Sequence, residues 1–87
     1  MIVVVEFIGA LRTIANAERC SVEFEEKATV STLIHRLRVE LLADEEFMDE
    51  TNLLIMKNGK EVGVIKGLQT ELEDRDTVTL IPISHGG

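Results

Sequence analysis

Tryptophan and tyrosine are absent from this chain, and phenylalanine occurs only at Phe7, Phe24 and Phe47. A core built from it must rest on Val, Ile and Leu, which suits a sheet packed on a helix. A single cysteine, Cys20, has no partner for an intramolecular disulfide and cannot alone hold a structural zinc or an iron–sulfur cluster. Basic residues are few: nine Lys and Arg stand against 16 Asp and Glu, for a formal net charge of -7. No cluster of positive charge is available to track a phosphate backbone, so nucleic acid is not an expected direct ligand, and a charged partner surface should be basic. Long apolar runs are lacking too. The run Ile2, Val3, Val4, Val5 is broken by Glu6 and carries no basic leader, so it reads as neither a signal peptide nor a membrane span. The expected compartment is the cytoplasm, with no membrane partner.

What is present describes a folded protein. The 87 residues are 45% hydrophobic and 29% charged, enough for one small core and too apolar for a disordered chain. Residues 2–8 are apolar and mostly β-branched, a strand with Val3, Val5 and Phe7 on one face. Residues 19–25 alternate, with Cys20, Val22 and Phe24 on one side. Thr29 can cap a helix, after which Val30, Leu33, Ile34, Leu37, Leu41 and Leu42 share one helical face. An acidic stretch, Asp44, Glu45, Glu46, Asp49 and Glu50, ends that pattern as a loop or a short turn of helix, with Phe47 and Met48 free to tuck against the core. Leu53–Lys57 is strand-length and leads into Asn58 and Gly59, a pair suited to a tight hairpin, so a partner strand is expected within residues 61–65. Turn formers fill residues 67–76. A final strand over residues 77–81 points Val78 and Leu80 inward, and Pro82, lacking an amide donor, should end regular pairing nearby.

This order of elements is an α+β layout, one main helix on a mixed sheet, for which a β-grasp is the economical arrangement. The first and last strands then lie parallel at its centre, with the helix in the crossover between them. Residues 1–82 form the domain, and residues 83–87 are an extended tail leaving mid-sheet.

That tail carries the chemistry. Ile83, Ser84, His85, Gly86 and Gly87 follow the strand directly, and two residues without Cβ make a thin strip able to thread a narrow channel. Five extended residues reach roughly 17 Å, enough to enter another protein's active site. A carboxylate acylates poorly until its oxygen leaves as something better, so adenylation by a separate ATP-using enzyme is the expected step, followed by attack of a sulfur or amine nucleophile. Two terminal glycines arise by chance about once in two hundred chains, so the pair gains weight only from its surroundings.

Those surroundings are specific. Gly67, Leu68, Gln69, Thr70, Glu71, Leu72, Glu73, Asp74, Arg75, Asp76, Thr77 and Val78 lead through Leu80, Ile81 and Pro82 into the diglycine. This resembles the MoaD, ThiS and ubiquitin-related modifier family of ubiquitin-like sulfur carriers. Val5, Phe7, Gly9, Leu11 and Arg12 are similar to the family's first strand and following loop, and Thr29, Val30, Leu33, Ile34 and Leu37 to its helix start. Arg75 stands where the family turn usually has Gly, Ile83 replaces the second Pro of the MoaD tail, and His85 is more like the ubiquitin-related modifier. The resemblance implies a ubiquitin-like β-grasp and a protein cosubstrate with no catalytic residues of its own. Gly87 is then adenylated by a ubiquitin-activating-type enzyme of the MoeB or ThiF kind and converted to a thiocarboxylate. The cosubstrate itself binds no cofactor; the partner consumes ATP. The implied acceptor is first a molybdopterin precursor in a MoaE-like subunit, with this chain as the small subunit of molybdopterin synthase. The alternatives are tRNA, through a thiolation enzyme, and target-protein lysines.

Other residues are read more plainly. Cys20 lies on the Val22 and Phe24 face, a buried thiol rather than a persulfide carrier. A tail offers no group to orient His85 as a base, so Ser84, His85 and Gly86 are read as the segment a partner threads and recognises. His35 is a surface residue, and the acidic stretch lacks regular ligand spacing, so no metal is assigned. Val4, Ile81 and Ile83, of the parity facing away from the helix, form an expected docking patch; a loop cover or a dimer contact is the plain alternative. A β-grasp binding module with an inert end is the competing function.

Overall fold

A computed structural model describes residues 1–41 and 52–83, with Val64 and Ile65 described by their backbone alone. Leu42, the acidic stretch 44–50 with Phe47 and Met48, and Ser84, His85, Gly86 and Gly87 lie outside the described residues. The element order is β1 (Ile2–Phe7), α1 (Ala10–Ala15), β2 (Arg19–Glu23), α2 (Val30–Leu41), β3 (Leu53–Lys57), β4 (Lys60–Glu61), α3 (Val62–Ile65), a 3₁₀ turn (Gly67–Gln69) and β5 (Thr77–Pro82).

The five strands form one mixed sheet in the order β2-β1-β5-β3-β4. β1 and β5 are parallel at its centre, with Val5 level with Val78 and Phe7 level with Leu80. Period-two alternation sends Val3, Val5, Phe7, Val22, Leu53, Ile55, Val78 and Leu80 to one face, where they are buried against Val30, Leu33, Ile34 and Leu37 of α2. Helix α2 starts where Thr29 and Thr32 cap reciprocally: the Thr32 amide donates to Thr29 Oγ1 at 3.2 Å, and the Thr29 amide to Thr32 Oγ1 at 3.4 Å. This is a β-grasp, and it matches the layout read from the sequence.

Two local expectations need correction. The hairpin turn forms as expected, with φ of 49° at Asn58 and 84° at Gly59 and Lys57 paired with Lys60. Its second arm is not a strand over 61–65, however. Pairing stops at Glu61, and the chain turns into α3, which carries Val62 into the core. A short apolar run fits either geometry, and burial of Val62 decides it. Between β1 and β2, where no element was expected, lies α1. Gly9 enters it at φ 61° and Asn16 closes it in the left-handed region at φ 56°, while Leu11 is buried.

Candidate functional site

β5 is the strand from which the tail departs, and both its neighbours hold it. On the β1 side Ile8 N–H donates to Leu80 O at 3.1 Å; on the β3 side the ladder runs from Lys57 opposite Val78 to Leu53 opposite Pro82. Pro82 stays in register with β3 although it has no donor, and one more bond follows it, from Ile83 N–H to Asn52 O at 2.9 Å. Bonding to the β3 side therefore continues at least one residue beyond Pro82, to Ile83, where the described residues stop. The proline ring packs where β1 ends, 3.9 Å from the point a Cβ on Gly9 would occupy, and the positive φ of Gly9 turns the neighbouring chain away.

The face opposite α2 is partly apolar. Val4 and Ile81 are half-buried on it, and Ile83 is 42% exposed. Register separates them. Val4 is level with Thr77, four residues along the strand from Ile81, or about 13 Å at a rise of about 3.3 Å per residue. The expected patch of Val4, Ile81 and Ile83 is thus not one cluster: parity fixes a face, and only register fixes neighbours. Beside Ile81 stands Leu54, its direct partner on β3, and beside Thr79 stands Met56; both are half-buried. Leu54 and Met56 were missed by the reading of the sequence, although the unbroken apolar run Leu53, Leu54, Ile55, Met56 already signalled a strand apolar on both sides. Ile2, 47% exposed, lies with Val4 at the far end. Charge borders the strip: Glu6 pairs with Arg19 at 3.5 Å, and the exposed Glu61 lies opposite Met56.

The start of β5 is fixed by a polar latch. Asp76, only 7% exposed, accepts from Asn58 Nδ2 at 2.8 Å and from the Glu73 amide at 2.7 Å, with Lys57 Nζ at 3.7 Å. The preceding residue, Arg75, is left-handed at φ 70°, so the position where the family usually has Gly does require a positive φ here. Its amide donates to Ile2 O, and its exposed side chain pairs with the neighbouring Asp74 at 3.7 Å.

Cys20 is half-buried opposite Val5, and its thiol pKa is raised, first by burial and then by the nearby Glu40 carboxylate. A nucleophilic thiol needs the opposite shift, so the geometry favours a packing role. His35 is exposed on α2. Among the described residues no group of His, Cys, Asp and Glu could hold a metal ion, and no helix is long and apolar enough to cross a membrane.

Comparison with known proteins points the same way over almost the whole length. The sequence model of the ThiS family matches residues 5–87. Small archaeal modifier protein 3 of Haloferax volcanii is 30% identical over 93% of this chain and 94% of its own. Among solved structures, a putative molybdopterin converting factor subunit 1 from Pyrococcus furiosus superposes with a TM-score of 0.78 at 26% identity, covering 97% of this chain and 99% of that one. A chain of the Amycolatopsis orientalis BexX/CysO complex superposes with a TM-score of 0.66 at 30% identity, covering 98% and 99%.

Proposed function

The chain belongs to the ThiS family, among the MoaD-like, ThiS and ubiquitin-like modifier proteins, and on that premise we propose that it is a sulfur carrier whose working group is the carboxylate of Gly87. The observation that carries this reading is the end of the central strand: β5 is held by β1 as far as Leu80 and by β3 as far as Pro82, Ile83 still bonds to Asn52, and a diglycine, Gly86 and Gly87, follows in sequence. Beyond Ile83, which is tied to Asn52, the sequence continues with Ser84, His85, Gly86 and Gly87, four residues that span at most about 14 Å when fully extended.

In the proposed chemistry a Gly87 carboxylate oxygen attacks the α-phosphorus of ATP on a separate adenylating enzyme, and pyrophosphate leaves. Sulfide then attacks the acyl carbon, AMP leaves, and a thiocarboxylate remains. This chain supplies the acyl group and its delivery. Gly86 and Gly87 keep the arm narrow, Ser84 and His85 are contacts for the enclosing partner, and Ile81, Leu54 and Ile83 dock the domain beside it. The chain's net charge of -7 fits a partner with a basic rim. ATP belongs to the partner; no cofactor is assigned to this chain.

For the acceptor we favour a molybdopterin precursor held by a MoaE-like subunit, supported by the likeness to the Pyrococcus furiosus protein. The identity with Small archaeal modifier protein 3 favours a second reading, joining of the same carboxyl group to lysines. Incubation with an adenylating enzyme, ATP and sulfide, followed by mass spectrometry of the intact chain, tests the carrier reading. Exchange of one terminal oxygen for sulfur is expected; adenylation without exchange leaves only the conjugation reading, for which a Gly-Gly remnant on lysines of digested cellular proteins is the mark.

A further inference from the structure

Asn58 precedes Gly59. In such a pair nothing at the second residue shields its backbone nitrogen, which can attack the asparagine carboxamide carbon. The Gly59 nitrogen forms the new bond and loses its proton, the carboxamide nitrogen departs as ammonia, and a five-membered succinimide results. Water then opens the ring at either carbonyl, leaving aspartate or isoaspartate at 58.

In the folded chain that attack is opposed by tethering and not by crowding. Among the described residues nothing, its two chain neighbours aside, lies within 4 Å of where a Cβ on Gly59 would stand. The Asn58 carboxamide, by contrast, is held at both ends: Nδ2 donates to Asp76 Oδ1 at 2.8 Å, and Oδ1 accepts the Thr77 amide at 2.8 Å. The Asn58 amide adds a bond to Thr77 O at 2.8 Å. Rotation of the carboxamide toward Gly59 breaks the two side-chain bonds together.

We infer that Asn58 is a deamidation site gated by this latch, and that deamidation prevents the latch from closing again. An aspartate at 58 has no donor for Asp76 and sets a second carboxylate against one that is 7% exposed, with Lys57 already engaged by Asp76 Oδ2 and by Glu71 O. Isoaspartate adds a backbone carbon to a two-residue turn whose central residues both need positive φ. Either product loosens the join between the β3–β4 hairpin and the start of β5. The modification thus marks chains that have opened locally, at the root of the strand that carries the tail.

The test follows the mass of the peptide containing residue 58 during mildly alkaline incubation of the full chain, folded and in urea. A parallel sample is Asp76→Ala under folding conditions. Loss of two bonds for each opening predicts deamidation roughly tenfold to a hundredfold slower in the folded chain than in urea, with Asp76→Ala in between. Equal rates in the folded and unfolded chain overturn the inference, and that comparison stands even where Asp76→Ala fails to fold. Asn58→Asp supplies the second readout: faster hydrogen exchange at the Thr77 amide and a lower unfolding midpoint are expected. Unchanged protection and an unchanged midpoint overturn the inference equally.

Discussion

The two faces of β5 are built from alternate residues of one short strand, yet they meet different surroundings. Val78 and Leu80 point inward and are 0% exposed, locked between Val5, Phe7 and α2. Thr77, Thr79 and Ile81 point outward and are half-buried, and the same parity continues to the exposed Ile83. The inner face decides whether the domain exists; in the proposed function the outer face docks the partner that receives the tail. Because the tail begins where the inner face ends, delivery depends on both, but the two can be separated by mutation.

The largest expected effect is on the inner face. Leu80→Ala should lower stability by about 3 kcal/mol in denaturant titration, since it empties a site between Phe7 and Ile55 that little can refill. A loss below about 1 kcal/mol would mean that β5 is not the centre of the core. Next comes the outer face. Ile81→Ser should change stability little while weakening binding to the adenylating enzyme about tenfold, roughly 1.4 kcal/mol. Val4→Ser, at the far end of the same face, should weaken it less; equal losses would restore the single patch that register argues against.

Parity explains much of what the sequence made legible. It identified Val3, Val5, Phe7, Val78 and Leu80 as inward residues, and Asn58 with Gly59 as the hairpin turn, because side-chain period and turn chemistry are local properties. Register is not local. Val4 and Ile81 share a face by parity, but only the pairing of β1 with β5 places them four residues apart. Helix α1 escaped notice for a related reason: six residues hold less than two turns, too few for a period, and Leu11 is its one fully buried residue. Its signal lay in the brackets, Gly9 and Asn16, which both take positive φ. In the acidic turn the sequence did carry the warning, since Arg75 is a residue ill-suited to the backbone it adopts.

That turn gives the third prediction. Arg75→Gly should stabilise the fold by about 1 kcal/mol, because it relieves a left-handed residue and forfeits only an exposed side chain. Hydrogen exchange at the Ile2 amide, which donates to Asp74 in the same turn, should slow with it. The smallest effect belongs to Cys20. Cys20→Ala should shift stability by about 0.5 kcal/mol and leave sulfur loading unchanged. With its pKa raised by burial, the native thiol should alkylate more slowly than the unfolded one. The sign for stability follows: the contribution is complete below the unfolded thiol's pKa and is lost as pH rises through the folded one. Loss of sulfur loading in Cys20→Ala would move the reactive group from the tail to the sheet.

Adenylation is the step that the carrier and the conjugation readings share, so it bears most directly on the role of Gly87. The measurement is ATP–pyrophosphate exchange by the adenylating enzyme, with the full chain and with a chain lacking Gly86 and Gly87, both checked for equal folding. Exchange with the full chain and none with the shortened one is the predicted result. Equal exchange by both chains, or none by either, would contradict the account.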